Sequence, residues 1–182
     1  MIPEPQKVQH QEHQIEKDIL IIMTKYLKKR TKMKKKTAIV SGYFDPLHVG
    51  HIEYFKMAKD LADELIVIVN NHEQCLLKKA DEFMAEKDRL EIVYHLDMVD
   101  EAILAVDEDK SVSETLRMVH RFKPMDKLIF CNGGDRDASN SPEVKVCSEL
   151  GIEFVQNLGK KIRSSSEITG MVEYDKPANQ RY

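Results

Sequence analysis

Cysteine is scarce. Cys75, Cys131 and Cys147 are an odd number, widely spaced, with no pair at metal-ligand spacing. That argues against a disulfide-stapled secreted fold and fits a reducing compartment. Long apolar runs are missing as well, and the longest near the N-terminus, Ile19 to Met23, is far too short to cross a bilayer. Met1-Ile2-Pro3-Glu4 does not open the basic-then-apolar order of a signal peptide. The expectation is a cytoplasmic protein with no membrane partner. No internal repeat and no low-complexity tract is present. Nor does one sign of charge dominate: 28 basic against 31 acidic residues leave a formal net charge of -3, which names no partner. Locally the balance fails, because eight Lys or Arg fall between Lys25 and Lys36 with no acid among them.

At 182 residues the chain suits one domain with an appendage. From Thr37 onward, strand and helix patterns alternate. Ala38-Ile39-Val40 leads into Gly42, and Leu65-Ile66-Val67-Ile68-Val69 is a continuous apolar run, as a strand covered on both faces requires. Ala102 to Val106, Leu128 to Cys131 and Ile152 to Val155 read as three further strands. Helical patterns lie between them: Ile52 to Ala62, Glu86 to Leu96, Val112 to Phe122 with Ser111 and Ser113 as cap candidates, and Glu143 to Leu150 closed by Gly151. Such alternation predicts parallel βαβ units, and hence an α/β fold with a Rossmann-like, doubly wound sheet of five parallel strands. In such sheets ligands bind beyond the carboxyl ends of the strands, where strand order reverses.

The segment 1–36 reads differently. Ile15, Ile19, Ile22 and Tyr26 recur at helical spacing, so an amphipathic helix from about Glu12 to Lys29 is expected, followed by a basic linker. The division is thus 1–36 for the helical extension and 37–182 for the main domain. The apolar stripe of that helix suits packing on the domain or on a second subunit.

Directly after the first strand stands Ser41-Gly42-Tyr43-Phe44-Asp45-Pro46-Leu47-His48-Val49-Gly50-His51, ahead of a helix. A strand, a turn and a helix N-terminus present free backbone N–H groups and partial positive charge, which suit phosphate. Gly42 allows a close backbone approach to a ligand, and Gly50 keeps side chains from between the imidazoles. His48 and His51, three apart at a helix start, face the same side. Two imidazoles there can donate to phosphate oxygens as charge builds in a transition state, and that chemistry needs positioning more than a protein nucleophile. Zinc would want a third ligand, and none lies nearby.

This string, G-x-F-D-x-x-H-x-G-H, resembles the signature of the cytidylyltransferase-like nucleotidyltransferase superfamily, which includes glycerol-phosphate cytidylyltransferases and heptose-phosphate adenylyltransferases. The resemblance covers roughly Thr37 to Met171. It implies transfer of a nucleoside monophosphate from CTP or ATP to a phosphomonoester by in-line attack, with Mg²⁺ as cofactor and pyrophosphate released, and it suggests a homodimer. Under it, His48 and His51 are catalytic, and Gly42, Tyr43, Phe44, Asp45 and Gly50 line the nucleotide site. Lys78 and Lys79 stand where the family often places a lysine that reaches the phosphates; Lys78 is read as catalytic and Lys79 as acceptor-binding. Arg89 resembles an arginine at the start of a helix before the third strand, which would orient the acceptor phosphate through a bidentate fork. Gly133, Gly134 and Asp135 follow the fourth strand and would meet the nucleotide. Arg163, Ser164, Ser165 and Ser166 resemble the terminal S-[ST]-[ST] element, in which the serines would hold the triphosphate and Arg163 is read as catalytic, although Arg163 is placed immediately before the serines rather than several residues earlier.

The base stays open. His48 leans toward CTP, which is slightly favoured, while Gly133-Gly134-Asp135 resembles the adenylyltransferase side equally. Two other classes remain: a nucleotide-binding regulatory module without turnover, against which the intact histidine pair argues, and an RNA-binding protein using Lys25 to Lys36, which lacks a known fold signature beside that stretch.

Overall fold

The computed structural model describes residues 35–79, 81–133, 141–159 and 165–170. The chain divides between Lys34 and Lys35, and every described residue belongs to the second unit, Lys35–Tyr182. The expected amphipathic helix and nearly all of its basic linker lie outside the described residues.

In chain order the elements are β1 (Lys36–Gly42), α1 (Val49–Lys59), β2 (Glu64–Val69), α2 (His72–Lys78), α3 (Glu86–Tyr94), β3 (Glu101–Leu104), α4 (Ser113–Phe122), β4 (Lys127–Gly133), α5 (Pro142–Leu150), β5 (Glu153–Leu158) and α6 (Ser165–Thr169). The five strands form one sheet in the order β3-β2-β1-β4-β5, and every pairing is parallel. Alternating strand residues feed two cores. Ala38, Val40, Leu65, Val67 and Ile129 pack with Phe55 and Ala58 of α1 and Val93 of α3. Ile39, Ile66, Ile68, Leu128 and Phe130 pack with Leu116 and Val119 of α4 and Val146 and Cys147 of α5. Each face of the sheet is therefore covered, which explains why the strands read as unbroken apolar runs. Strand order reverses between β1 and β4, so the crevice that a doubly wound sheet offers a ligand opens where Gly42 and Gly133 end their strands.

Several boundaries differ from the sequence expectation, each for a local reason. Helix α1 starts at Val49 rather than Ile52, because His48 takes the N-cap position. Strand β3 stops at Leu104 rather than Val106. Beyond Ala105 the chain turns away to let Asp107 cap α4: its carboxylate accepts from the amides of Glu114 (2.6 Å) and Thr115 (3.1 Å) and from the Thr115 hydroxyl. The serines expected as caps play a smaller part, since Val112 holds the N-cap position and Ser111 Oγ only accepts from Ser113 N at 3.4 Å. Gly151 closes α5 in the left-handed region, as its position implies. Helix α2 was not foreseen. Asn71 Oδ1 accepts from Gln74 N (2.9 Å) and Gln74 Oε1 accepts from Asn71 N (3.1 Å), a reciprocal capping box that starts it.

Candidate active site

The chain leaves β1 at Gly42 and must reach the N-cap of α1 at His48. Phe44 makes the turn with φ of 51°, a region rarely entered by an aromatic residue, and its ring folds back into the core edge-on to Phe55. A Cβ on Gly42 would stand 2.8 Å from that ring. Gly42 thus makes room for Phe44. Pro46 follows through a cis peptide bond.

The two histidines come together as their spacing predicts. His48 N donates to His51 Nδ1 at 3.3 Å, and the rings stack with centroids 3.7 Å apart and planes 18° apart. Phe44 presents its ring at right angles to His51, 5.0 Å between centroids. Burial, then the nearby charges of His48, Lys78 and Lys79, lower the His51 pKa to about 3. His51 is therefore neutral at pH 7. Because its Nδ1 accepts a hydrogen bond, its proton resides on Nε2, leaving one imidazole N–H as a donor. Gly50 occupies the helical position between them.

Lys78 is the last residue of α2, and its ammonium lies 4.3 Å from the centre of the Tyr43 ring. The neighbouring Lys79 points elsewhere. Its Nζ donates to the Asp45 carbonyl at 2.8 Å and lies 3.6 Å from the Asp45 carboxylate. That carboxylate in turn accepts from the amides of Phe83 (2.9 Å) and Met84 (2.7 Å). Arg89 is buried, not a surface fork: Nε donates to Met84 O (2.9 Å), one terminal nitrogen to Tyr43 O and Asn70 O (2.7 Å each), and the other to Glu82 (3.3 Å). Lys79 and Arg89, expected at the acceptor, and Asp45, expected at the nucleotide, thus have their polar atoms committed to backbone and to one another.

At the end of β4, Gly133 meets a ring as Gly42 does. A Cβ there would stand 3.0 Å from Tyr54, whose hydroxyl donates to the Cys131 carbonyl. The β4–β5 register shifts between Cys131 and Gly133. Ser165 Oγ donates to Pro46 O at 3.1 Å, bringing the start of α6 onto the histidine loop. Gly134, Asp135, Arg163 and Ser164, and the side chain of Ser166, lie outside the described residues.

Among the described residues no group of three His, Cys, Asp or Glu could hold a metal ion. With the Asp45 carboxylate committed as above, the expected Mg²⁺ finds no protein-built cage there. Among the same residues no helix is long and apolar enough to cross a membrane. Sequence reasoning missed Glu82, which joins Arg89 to His72 Nδ1 (3.0 Å), and Tyr54, for which no local signal exists. It also missed Asn71 and Gln74, although N-x-x-Q after a strand is a readable helix start.

A parallel sheet with a reversal at β1 and β4, and a stacked imidazole pair at the helix that opens there, define an α/β domain of the nucleotidyltransferase class. The chain belongs to the cytidylyltransferase-like family, whose model matches residues 39–168. Among its relatives, the FAD synthase of Methanothermobacter marburgensis is 35% identical over 151 residues, 81% of this chain and 88% of that protein. The FAD synthase of Pyrococcus abyssi is 39% identical over 100 residues, 54% of this chain. The chain spans between 50% and 66% of the length of that protein and its Thermococcus kodakarensis and Pyrococcus horikoshii counterparts. A solved structure, the lipopolysaccharide core biosynthesis protein from Thermoplasma volcanium, superposes with a TM-score of 0.52 at 25% identity, covering 78% of this chain and 99% of that one.

Proposed function

We propose that the protein is an adenylyltransferase that joins the AMP moiety of ATP to the phosphate of FMN, giving FAD and pyrophosphate. The observation that carries the reading is the stacked His48–His51 pair at the start of α1, at the edge of the sheet where its strand order reverses. The relatives support this acceptor: FAD is FMN joined through a pyrophosphate link to AMP, so a FAD synthase moves an adenylyl group. The slight preference for CTP read from His48 accordingly gives way to ATP.

In this reaction an oxygen of the acceptor phosphate attacks the α-phosphorus of ATP in line. The new P–O bond forms as the bond to the β-phosphate oxygen breaks, and pyrophosphate departs with the electron pair. No general base is required, since the acceptor phosphate is already ionised at neutral pH. His51 supplies a neutral N–H donor from a partly desolvated setting, where a hydrogen bond to growing negative charge is stronger than in water. Lys78, held near Tyr43 beside the pair, adds positive charge for the triphosphate.

The test supplies ATP or CTP with FMN, a sugar phosphate or glycerol phosphate, and follows pyrophosphate release and FAD formation. Turnover of ATP and FMN is expected. Pyrophosphate release from CTP with glycerol phosphate, and none from ATP with FMN, would overturn the assignment.

A further inference from the structure

We infer that Asp45, Lys79 and Arg89 form a buried clamp that positions the imidazole pair without touching either substrate. Its kinetic consequence rests on the adenylyl transfer proposed above; its structural consequence does not. The three residues are 0%, 6% and 1% exposed. With Glu82 they make two acids and two bases, a balanced set in which each charge has a partner. Buried charge of this kind is costly compared with a well-packed apolar cluster, so core stability alone gives no reason for it.

The geometry supplies a reason. Arg89 reaches three carbonyls from three segments: Tyr43 in the histidine loop, Asn70 at the end of β2 and Met84 before α3. Asp45 returns the connection, since its carboxylate holds the amides of Phe83 and Met84 while Lys79 holds its carbonyl. Tyr43 and Asp45 flank Phe44, so the clamp grips the chain on both sides of the one residue that turns through φ of 51°. A side chain in that region is strained and persists only where its surroundings fix it. Phe44 then lays its ring against His51, and no other described ring is paired with His51 except His48. The connection runs from Arg89 and Asp45 through Phe44 to the catalytic imidazole.

The decisive variant is Arg89→Lys. It keeps the charge, but a single ammonium cannot span three carbonyls as the planar fork does. Arg89 is also absent from the charges that act on His51, which are His48, Lys78 and Lys79, so a change in His51 titration would report position and not charge. The measurements are the His51 titration by nitrogen-resolved NMR and the separation of kcat from KM. The clamp predicts that His51 loses part of its burial and titrates at least about one pH unit higher, and that kcat falls about a hundredfold, the scale of an ångström-level misplacement. KM for ATP and for the acceptor should stay within about threefold, as for an effect confined to the transition state. An unmoved His51 in the folded variant, or a raised acceptor KM at unchanged kcat, overturns it. Where Arg89→Lys does not fold, Asp45→Asn keeps the shape, leaves an amide facing one of the two N–H donors and gives the same two readouts. If the wild type fails to make FAD, the adenylyl reading falls while the His51 titration still decides the clamp.

Discussion

The His48 amide points its N–H at Nδ1 of His51, so the backbone at the helix start sets the tautomer of the imidazole one turn along. The donor that remains, Nε2–H, is consequently fixed by the fold and not by pH in the neutral range. Removing it with His51→Ala should lower kcat by about a hundredfold or more, the cost of deleting one preorganised transition-state donor. His51→Gln can accept from the His48 amide, as Gln74 does from Asn71, and can present an N–H, but it cannot stack on His48 as an imidazole does, and should recover only a part. Steady-state kinetics of both variants beside wild type check this, and activity of His51→Ala within a few-fold of wild type would remove the residue from the mechanism.

The lowered pKa of His51 also predicts how stability responds to acid. Above pH 6.5 the imidazole is neutral in the folded and unfolded chains alike and adds no pH dependence. Between 6.5 and about 3 the unfolded chain takes up a proton that the folded chain refuses, so stability falls as pH falls through that window. The loss is at most about 1.4 kcal/mol for each unit below 6.5. Glu64, held low by Lys35 and Lys123, and Glu153, held low by Lys127, also lose their stabilisation in acid, below the ordinary carboxylate range. The informative quantity is therefore a difference: between neutral pH and about pH 5, His51→Gln should lose less stability than wild type. Urea midpoints at the two pH values measure it, and equal losses would contradict the assignment of His51 as buried and neutral.

Gly42 and Gly133 end adjacent strands at the crevice, and each is kept bare by an aromatic ring. Gly42→Ala should be the more harmful, because its Cβ would approach the Phe44 ring to 2.8 Å and Phe44 is part of the core. A cost of about 1 to 3 kcal/mol is expected, typical of overpacking. Gly133→Ala, at 3.0 Å from Tyr54, should cost less. Combining Gly42→Ala with Phe44→Leu relieves the clash and should recover part of the lost stability but not the activity, since the ring against His51 is gone. Denaturant midpoints paired with kcat separate the two effects.

The fold was legible because its signal is periodic and repeated: β2 shows five consecutive apolar residues, and both faces of the sheet demand them. The histidine pair was legible because helical spacing alone brings residues three apart together. Arg89, Lys79 and Asp45 were not. Nothing in Glu86-Lys87-Asp88-Arg89 distinguishes an exposed arginine from one whose partners, Tyr43 and Asn70, stand 46 and 19 positions away. A charged residue carries no local mark of burial, and its tertiary partners decide its role. The rings beside Gly42 and Gly133 were hidden for the same reason, since they come from a turn and from a helix.

Helix α4 separates local from tertiary reasoning most cleanly. Ser111 and Ser113 fit the cap pattern in sequence, yet Asp107, six positions before the first helical residue, accepts the amides of Glu114 and Thr115 and the Thr115 hydroxyl. Asp107 is 4% exposed, so its loss would strand those donors away from water. Asp107→Ala should therefore cost about 2 kcal/mol or more, at the upper end for a cap. Ser113→Ala should change stability by less than about 0.5 kcal/mol, as expected of a position outside the main capping interaction. Thr115→Val tests the remaining link: its hydroxyl both donates to Asp107 and accepts from Val106 N (3.0 Å), so the variant should fall between the two. Equal effects of Asp107→Ala and Ser113→Ala on the urea midpoint would return the cap to the serines and leave the early end of β3 without its physical cause.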